Sequence, residues 1–181
     1  MILIEDWRPP IVEMVMTKQN LAAWDPNELF PNHLPEVAAT EELIHQVEQA
    51  LTVRLDKEHR GFLGFADGWN CFHQEVTLLG TTGLVAGDLR DTAFEAFEYA
   101  PEFLEELGRS TEELLPIAAS NEQGDVFVML IEDGVVAPKV FWIAEGELID
   151  TFDSFGQYFV SMIEYTKRRI AKMQVEVRAA E

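Results

Sequence analysis

The residues best suited to chemistry lie near the middle of the chain, in the segment His73-Gln74-Glu75. A His-x-Glu sequence forms one half of the zinc deaminase signature, in which the histidine binds the metal and the glutamate moves protons. The other half, Pro-Cys-x-x-Cys, is absent, and Cys71 is the only cysteine of the chain. Because the remaining ligands cannot be supplied, we predict no metal site and interpret His73 as a histidine at the entrance to a strand.

Other catalytic sets are also missing from the sequence. The glycines of GTTGLVAGD match neither the dinucleotide fingerprint nor the phosphate loop, which requires a Gly-Lys-Ser/Thr sequence. No serine lies in a Gly-x-Ser-x-Gly turn, and in a chain with 33 acidic residues pairs of carboxylates arise by chance. We therefore predict a protein that is not an enzyme and has no cofactor. A hydrolase or transferase with His73 and Glu75 in a pocket is the remote alternative.

A regular row of acidic residues follows in the segment DLRDTAFEAFEYAPEFLEE, residues 88–106. Steps of three and four place these side chains on one face of a helix. The face is either the solvated side of an ordinary amphipathic helix or a docking surface for a basic partner. Pro101 cannot donate to the helical ladder but can open a second helix, so we expect two helices to share the row. The acidic residues of this face are Asp88, Asp91, Glu95, Glu98, Glu102 and Glu105.

Trp69 follows a strong turn signal, Asp67-Gly68, and has two interpretations. A tryptophan beside a turn can anchor a partner, because tryptophan is enriched at binding hot spots. A position in the hydrophobic core is the more common place for so large a side chain. The core position is favoured, and Trp69 is kept as a candidate partner-binding residue.

The bulk charge restricts the kinds of partner. Thirteen lysines and arginines stand against 33 aspartates and glutamates, which gives a net charge of −20 in 181 residues. Such a charge opposes binding to nucleic acid or anionic lipid and favours a basic protein partner, with fast association that weakens as salt is added.

The first residues do not read as a signal peptide, and no run approaches the roughly 18 apolar residues of a membrane span. We expect a cytoplasmic protein.

Helical patterns dominate the first part of the chain. Residues 11–24 predict a short helix, and residues 1–37 are expected to form an extension packed on the main domain, residues 38–181. Thr40 and Asp56 are candidate N-caps for two further helices, because their short polar side chains can accept the free amides of a first turn.

Strand patterns dominate the second part. A strand is predicted at residues 75–80, followed by a loop that contains Gly80, Gly83 and Gly87. Beyond residue 114 the pattern changes to the short apolar segments LPIAAS, DVFVMLI, PKVFWIA and ELIDTF, which are separated by turns. Consecutive strands joined by such short turns must be antiparallel. Ser154, with Gln157 three residues later, has the capping-box spacing and predicts a final long helix.

The order of short motifs along residues 38–172 is more specific than any one of them. It resembles the SUKH superfamily, whose bacterial members include many immunity proteins of polymorphic toxin systems and whose yeast relative regulates cell-wall synthesis. Asp56 stands where that family usually has proline, and Asp67 where it usually has asparagine. The motifs are Leu55-Asp56, Phe62-Leu63, Asp67-Gly68, Pro116-Ile117-Ala118, Gly124-Asp125 and the helix entry Phe155 to Phe159.

The resemblance implies a single α+β domain, with an antiparallel-rich sheet of about four to six strands packed against helices and a long C-terminal helix. It implies a binding protein without catalysis, and an immunity protein that neutralises a basic toxin domain, possibly a nuclease, is the leading hypothesis. An intracellular regulatory or scaffolding adaptor is the alternative. The identity of the partner and the oligomeric state stay open.

Overall fold

Six β-strands form one antiparallel sheet, in which the spatial order of the strands follows their order along the chain. The computed structural model describes residues 3–121 and 124–180, with side chains described as far as residue 177. The strands are β1 (Trp69–His73), β2 (Val76–Leu78), β3 (Leu114–Ala119), β4 (Val126–Glu132), β5 (Val135–Ala144) and β6 (Glu147–Phe152).

Helices cover both faces of the sheet. One face packs against a core that includes residues of the first four helices and the C-terminal helix, and the other packs against the fifth and sixth helices. A short 3-10 turn, Thr111–Glu113, leads into β3. The helices are α1 (Arg8–Ala23), α2 (Glu41–Leu51), α3 (Lys57–Leu63), α4 (Thr81–Val85), α5 (Asp88–Glu98), α6 (Pro101–Leu107) and α7 (Phe155–Ala180).

Strand β4 lies inside the sheet and is buried on both faces. Phe127 and Met129 join the core beneath α7, whereas Val126, Val128 and Leu130 join the core beneath α5 and α6. A strand covered on both faces needs no polar alternation, which explains the uninterrupted apolar run of its sequence. The predicted α+β class, antiparallel sheet and long C-terminal helix are confirmed.

The segment before α2 contributes to the larger of the two cores. The ring of Trp7 is fully buried, and its centroid lies 5.4 Å from that of Phe62, 5.5 Å from that of Phe155 and 5.2 Å from that of Phe159. Aromatic pairs at these separations contribute attraction beyond the area that they bury. The N-terminal segment therefore supplies a central side chain of the core beneath α7.

Two local predictions need correction around the first strands. The strand expected at residues 75–80 is confined to β2, and α4 forms where a glycine-rich loop was expected. Asp67 stabilises α4 from a distance in sequence, because its carboxylate accepts the amide of Thr81 at 2.6 Å and the hydroxyl of Thr81 at 2.7 Å. Such a cap is not visible in the local pattern.

Among the described residues, no helix combines the length and the apolar character needed to cross a bilayer.

Candidate docking surface

Helices α5 and α6 hold the six predicted acidic residues on the outside of the domain. Their inner sides are apolar, with Ala93 and Phe97 of α5 and Phe103 of α6 buried against the sheet. The helical period then directs the polar side chains outward. Pro101 is the first residue of α6, so the predicted division of the row between two helices is confirmed. The exposed residues, together named the acidic surface, are Asp88, Asp91, Glu95, Glu98, Glu102 and Glu105.

The carboxylates of the acidic surface lack cationic partners within the part of the chain that the structure describes. None of the six forms an ion pair there, although basic side chains elsewhere do. Arg60, for example, lies 2.6 Å from Glu41, and Arg109 lies 2.9 Å from Glu113. The acidic surface is therefore a region of unneutralised negative charge, which attracts cationic molecules.

The helix dipole accounts for only part of this row. Asp88 and Asp91 lie in the first turn of α5 and Glu102 in the first turn of α6, where negative charge is favourable. Glu98 is the last residue of α5, and Glu105 lies in the last turn of α6, where negative charge is unfavourable. Neither helix has a basic residue in its last turn. The stability of the helices therefore gives no reason for carboxylates at these two positions.

Part of the acidic surface is concave. A depression of about 440 Å³ opens along the outer side of α5 and collects three of the six predicted carboxylates. Asp88 instead lines a separate cleft, between the start of α5 and the turn after α3. The spacing of the acidic residues along α5 could have predicted that these residues lie together. No signal in the sequence indicates that Thr111 also lines the depression. The depression is lined by Arg90, Asp91, Phe94, Glu95, Glu98 and Thr111.

The region that contains this surface also matches a known family. Residues 38–161 match the model of the SMI1/KNR4 family (SUKH-1). The chain belongs to this family. The suspected membership of the SUKH superfamily is thus confirmed, and both helices of the acidic surface fall inside the SUKH-1 region, whereas Trp7 falls outside it. No curated protein is significantly similar to the chain.

An exposed aromatic side chain of the SUKH-1 region lies beside the acidic surface and was missed by the sequence reasoning. Tyr99 is the C-cap of α5, directly after Glu98, and is 78 % exposed. Its carbonyl oxygen approaches Gly146 in the turn between β5 and β6 so closely that the turn has no room for a Cβ. Exposed tyrosines are common interface hot spots. The sequence signal that could have identified Tyr99 is its position directly before the helix boundary at Pro101.

Trp69 lines the same cleft as Asp88 at one end of the acidic surface, but its side chain is buried there. Its side chain is 1 % exposed, and its indole nitrogen donates to the carbonyl oxygen of His33 at 2.8 Å. The ring of Phe72 lies 5.5 Å away, centroid to centroid. This burial agrees with the favoured core interpretation. A side chain enclosed in this way offers a partner no contact area in this conformation.

The His73 segment of the SUKH-1 region lies in a buried environment. His73 is buried at the end of β1, and its Nδ1 lies 3.2 Å from the hydroxyl oxygen of Thr166 on α7. Burial, together with the nearby cations Lys18 and Arg169, lowers the pKa of His73 to about 4. Among residues 3–121 and 124–177, no cluster of three or more His, Cys, Asp or Glu side chains has a metal-binding arrangement.

Proposed function

We propose that this SUKH-1 protein is an immunity protein, which binds a basic toxin domain through the acidic surface and thereby neutralises it. The observation that supports the proposal most directly is the set of six exposed carboxylates on α5 and α6 that form no ion pair with any of the described residues. Two of them, Glu98 and Glu105, lie where the helix dipole disfavours them. Side chains that do not serve the stability of their own helices are free to serve a partner.

The proposed mechanism of neutralisation is electrostatic occlusion. Enzymes that act on nucleic acids carry cationic clefts for phosphate groups, and a dense row of carboxylates can occupy such a cleft in place of the substrate. A protein with a net charge of −20 also gains a high association rate with a basic partner. The complex should therefore form quickly at low salt and more slowly as salt screens the charges.

The test is survival of cells that express a candidate toxin domain, encoded beside this protein, with or without this protein. The decisive variant replaces Asp91, Glu95 and Glu98 with lysine, which should abolish rescue without loss of the folded state. The matched control makes the same change in net charge at exposed residues elsewhere, Glu5→Lys, Glu42→Lys and Glu176→Lys, and should still rescue. Circular dichroism and thermal unfolding verify that both variants fold.

Two results would contradict the proposal in different ways. Unimpaired rescue by the Asp91, Glu95 and Glu98 variant would remove the acidic surface as the contact. No rescue by the unmodified protein against any adjacent candidate toxin would favour the regulatory adaptor, for which copurified cellular partners should change when the same three residues are replaced.

A further inference from the structure

The outer side of helices α1 and α7 exposes apolar side chains on a molecule with a net charge of −20. Val12 and Met16 follow each other by one turn on α1 and are 59 % and 61 % exposed. On α7, Val160 is 44 % exposed although the adjacent Phe159 is fully buried. Exposed apolar side chains that lie together mark interaction sites, whereas isolated ones are common on any protein.

Contacts between α1 and α7 bring the exposed sides of the two helices together. At the beginning of the helices, the ring centroids of Trp7 and Phe159 are 5.2 Å apart. Further along both helices, the Nζ of Lys167 lies 2.7 Å from the Oε1 of Glu13. Helices α1 and α7 therefore lie side by side and run in the same direction.

Helical spacing locates the apolar side chains around this ion pair. Lys167 follows Val160 by seven residues, which is close to two full turns, so both lie on the same side of α7. On α1, Met16 lies three residues from Glu13 and four from Val12, so these side chains adjoin. The half-exposed ion pair thus lies between the two exposed helix sides, which together form one surface, named the α1–α7 face.

Charge is distributed unevenly along the α1–α7 face. In its first half, residues 153–164 include Asp153 and Glu164 and contain no Lys or Arg. In its second half, residues 165–177 contain four of the 13 Lys and Arg of the chain against one acid, Glu176. The face therefore has an acidic half and a basic half.

The N-terminal segment extends the acidic half and forms a recess there. Ile4 lines a depression of about 440 Å³ together with Asp153, Val160 and other residues of the first turns of α7. The exposed Glu5 follows Ile4 and adds a further carboxylate at this end. The acidic half thus has room for an apolar side chain beside its carboxylates.

We propose that the α1–α7 face binds a second copy of this chain across a two-fold axis. An axis perpendicular to the helices turns the acidic half of one copy toward the basic half of the other, so unlike charges meet at both ends of the contact. Val12, Met16 and Val160 are then buried between the copies. Val175, which is 65 % exposed in the basic half, can enter the recess of the other copy.

The two-fold contact leaves the acidic surface open. Helices α1 and α7 pack on one side of the sheet, and α5 and α6, which carry the acidic surface, pack on the other. The dimer therefore presents two acidic surfaces that face away from the contact. The inference goes beyond the proposed function and does not depend on it.

Sedimentation velocity of the full chain over a range of protein and salt concentrations tests the contact. We expect a monomer–dimer equilibrium that stops at two chains and weakens several-fold as salt screens the charged ends. Met16→Gln with Val160→Gln removes apolar contact without changing the charge, and should raise the dissociation constant at least about tenfold. The control, Leu43→Gln with Ile149→Gln, changes exposed apolar side chains on α2 and β6 and should leave the dissociation constant unchanged.

Exchange of charge tests the two-fold arrangement. One variant reverses the basic half, Arg168→Glu with Lys172→Glu, and another reverses the acidic half, Glu5→Lys with Asp153→Lys, all at exposed positions. Each variant alone should stay monomeric where the unmodified chain dimerises, because like charges then meet at both ends. An equimolar mixture should recover the dimer, since each reversed half faces a half of opposite charge. Circular dichroism verifies that each variant folds.

A monomer at every soluble concentration, assembly beyond two chains, or no recovery in the mixture would overturn the two-fold contact. Asp91→Asn with Glu95→Gln and Glu98→Gln should dimerise like the unmodified chain, and loss of its dimer would mean that the basic half binds the acidic surface instead. The assay involves no toxin. Dimers without rescue of cells would leave the α1–α7 contact and remove the immunity function, and rescue by a monomeric chain would do the reverse.

Discussion

The backbone amide of Gly156, in the first turn of α7, donates to the carboxylate of Glu58 at 3.1 Å, although 98 positions separate the two residues in the chain. The same carboxylate accepts the amide of Ile4 at 2.7 Å, and Glu58 is 3 % exposed. The helix dipole favours a negative charge at this end of α7. Glu58 therefore connects the N-terminal segment to the C-terminal helix from inside the fold.

Replacing Glu58 with alanine should lower the free energy of unfolding by about 3 kcal/mol, because two buried amides lose a charged acceptor. Gly156→Ala alone should also destabilise, since its Cβ would come 2.6 Å from the Oε1 of Glu58. In the Glu58→Ala background the penalty of Gly156→Ala should shrink, because the clash is gone and alanine favours a helix. Urea unfolding of the four proteins measures this coupling, and simple additivity would contradict it.

Trp7 should be essential for stability although it lies outside the SUKH-1 region. Trp7→Ala should cost about 3 to 5 kcal/mol, since it removes a fully buried ring that contacts three aromatic side chains. Val12→Ala on α1 is the control, because Val12 is 59 % exposed and should change stability by less than about 0.5 kcal/mol. Equal, small effects in urea unfolding would mean that the N-terminal segment is not part of the cooperative unit.

The carboxylates at the helix ends should cost stability. Glu98→Gln and Glu105→Gln should each raise the free energy of unfolding by about 0.3 to 1 kcal/mol at low salt, because each removes a negative charge from the negative end of a helix dipole. Glu102→Gln, at the start of α6, should have the opposite sign. Added salt should reduce all three differences. A loss of stability in the Glu98 and Glu105 variants would refute the dipole argument.

His59 should make the protein sensitive to acid. Burial lowers its pKa to about 3, and neither ring nitrogen has a hydrogen-bond partner among the described residues. In the unfolded chain the pKa is about 6.5, so between these values the unfolded state binds the additional proton. Stability should therefore fall as the pH drops through this window, by up to about 1.4 kcal/mol for each pH unit from His59.

The histidine variants isolate this contribution. His59→Leu should reduce the dependence of the free energy of unfolding on pH, and the slope that remains should include a contribution from His73, whose pKa burial lowers to about 4. Stability at neutral pH should change little, because the lost ring nitrogens have no hydrogen-bond partner among the described residues. His45→Gln, at an exposed position on α2, should leave the acid sensitivity intact. Urea unfolding at several pH values between the two pKa values measures both, and an unchanged slope in His59→Leu would exclude His59 as the cause.

Tyr99 should contribute to partner binding rather than to stability. Tyr99→Ala should leave the thermal midpoint nearly unchanged, because the side chain is largely exposed, and should weaken binding to the proposed basic partner by about tenfold or more. Tyr99→Phe keeps the ring and should bind more tightly than the alanine variant. Calorimetry or surface plasmon resonance with the partner domain provides the measurement, and full affinity in Tyr99→Ala would place the contact elsewhere.

The predictable parts of the fold are those with a repeated local pattern. Strands β3 to β6 and helix α7 were found because apolar runs, short turns and a cap at Ser154 lie next to each other in sequence. Strand β1 was missed because a bulge shifts its register near Cys71, whose φ is 48°. Helix α4 was missed because its cap is the carboxylate of Asp67, supplied from outside the local pattern.

The acidic surface could be predicted for the same reason, whereas its lack of ion pairs among the described residues and its recess could not. Helical spacing alone grouped the six carboxylates on one side, and Pro101 alone divided them between two helices. The absence of ion pairs within the described part of the chain depends on where distant basic residues lie. The recess depends on the position of Thr111, beyond α6. The burial of Trp69 has the same cause, because His33 and other residues distant in the sequence enclose its side chain.

The sequence by itself determined the α+β class, the antiparallel order of the later strands and the face of α5 that carries the acids, because each depends on a period or a cap that neighbouring residues complete. Only the tertiary structure decided which carboxylates share a recess, that Trp7 belongs to the core and that Glu58 reaches Gly156. These outcomes depend on contacts between residues far apart in the chain, which a local pattern does not encode.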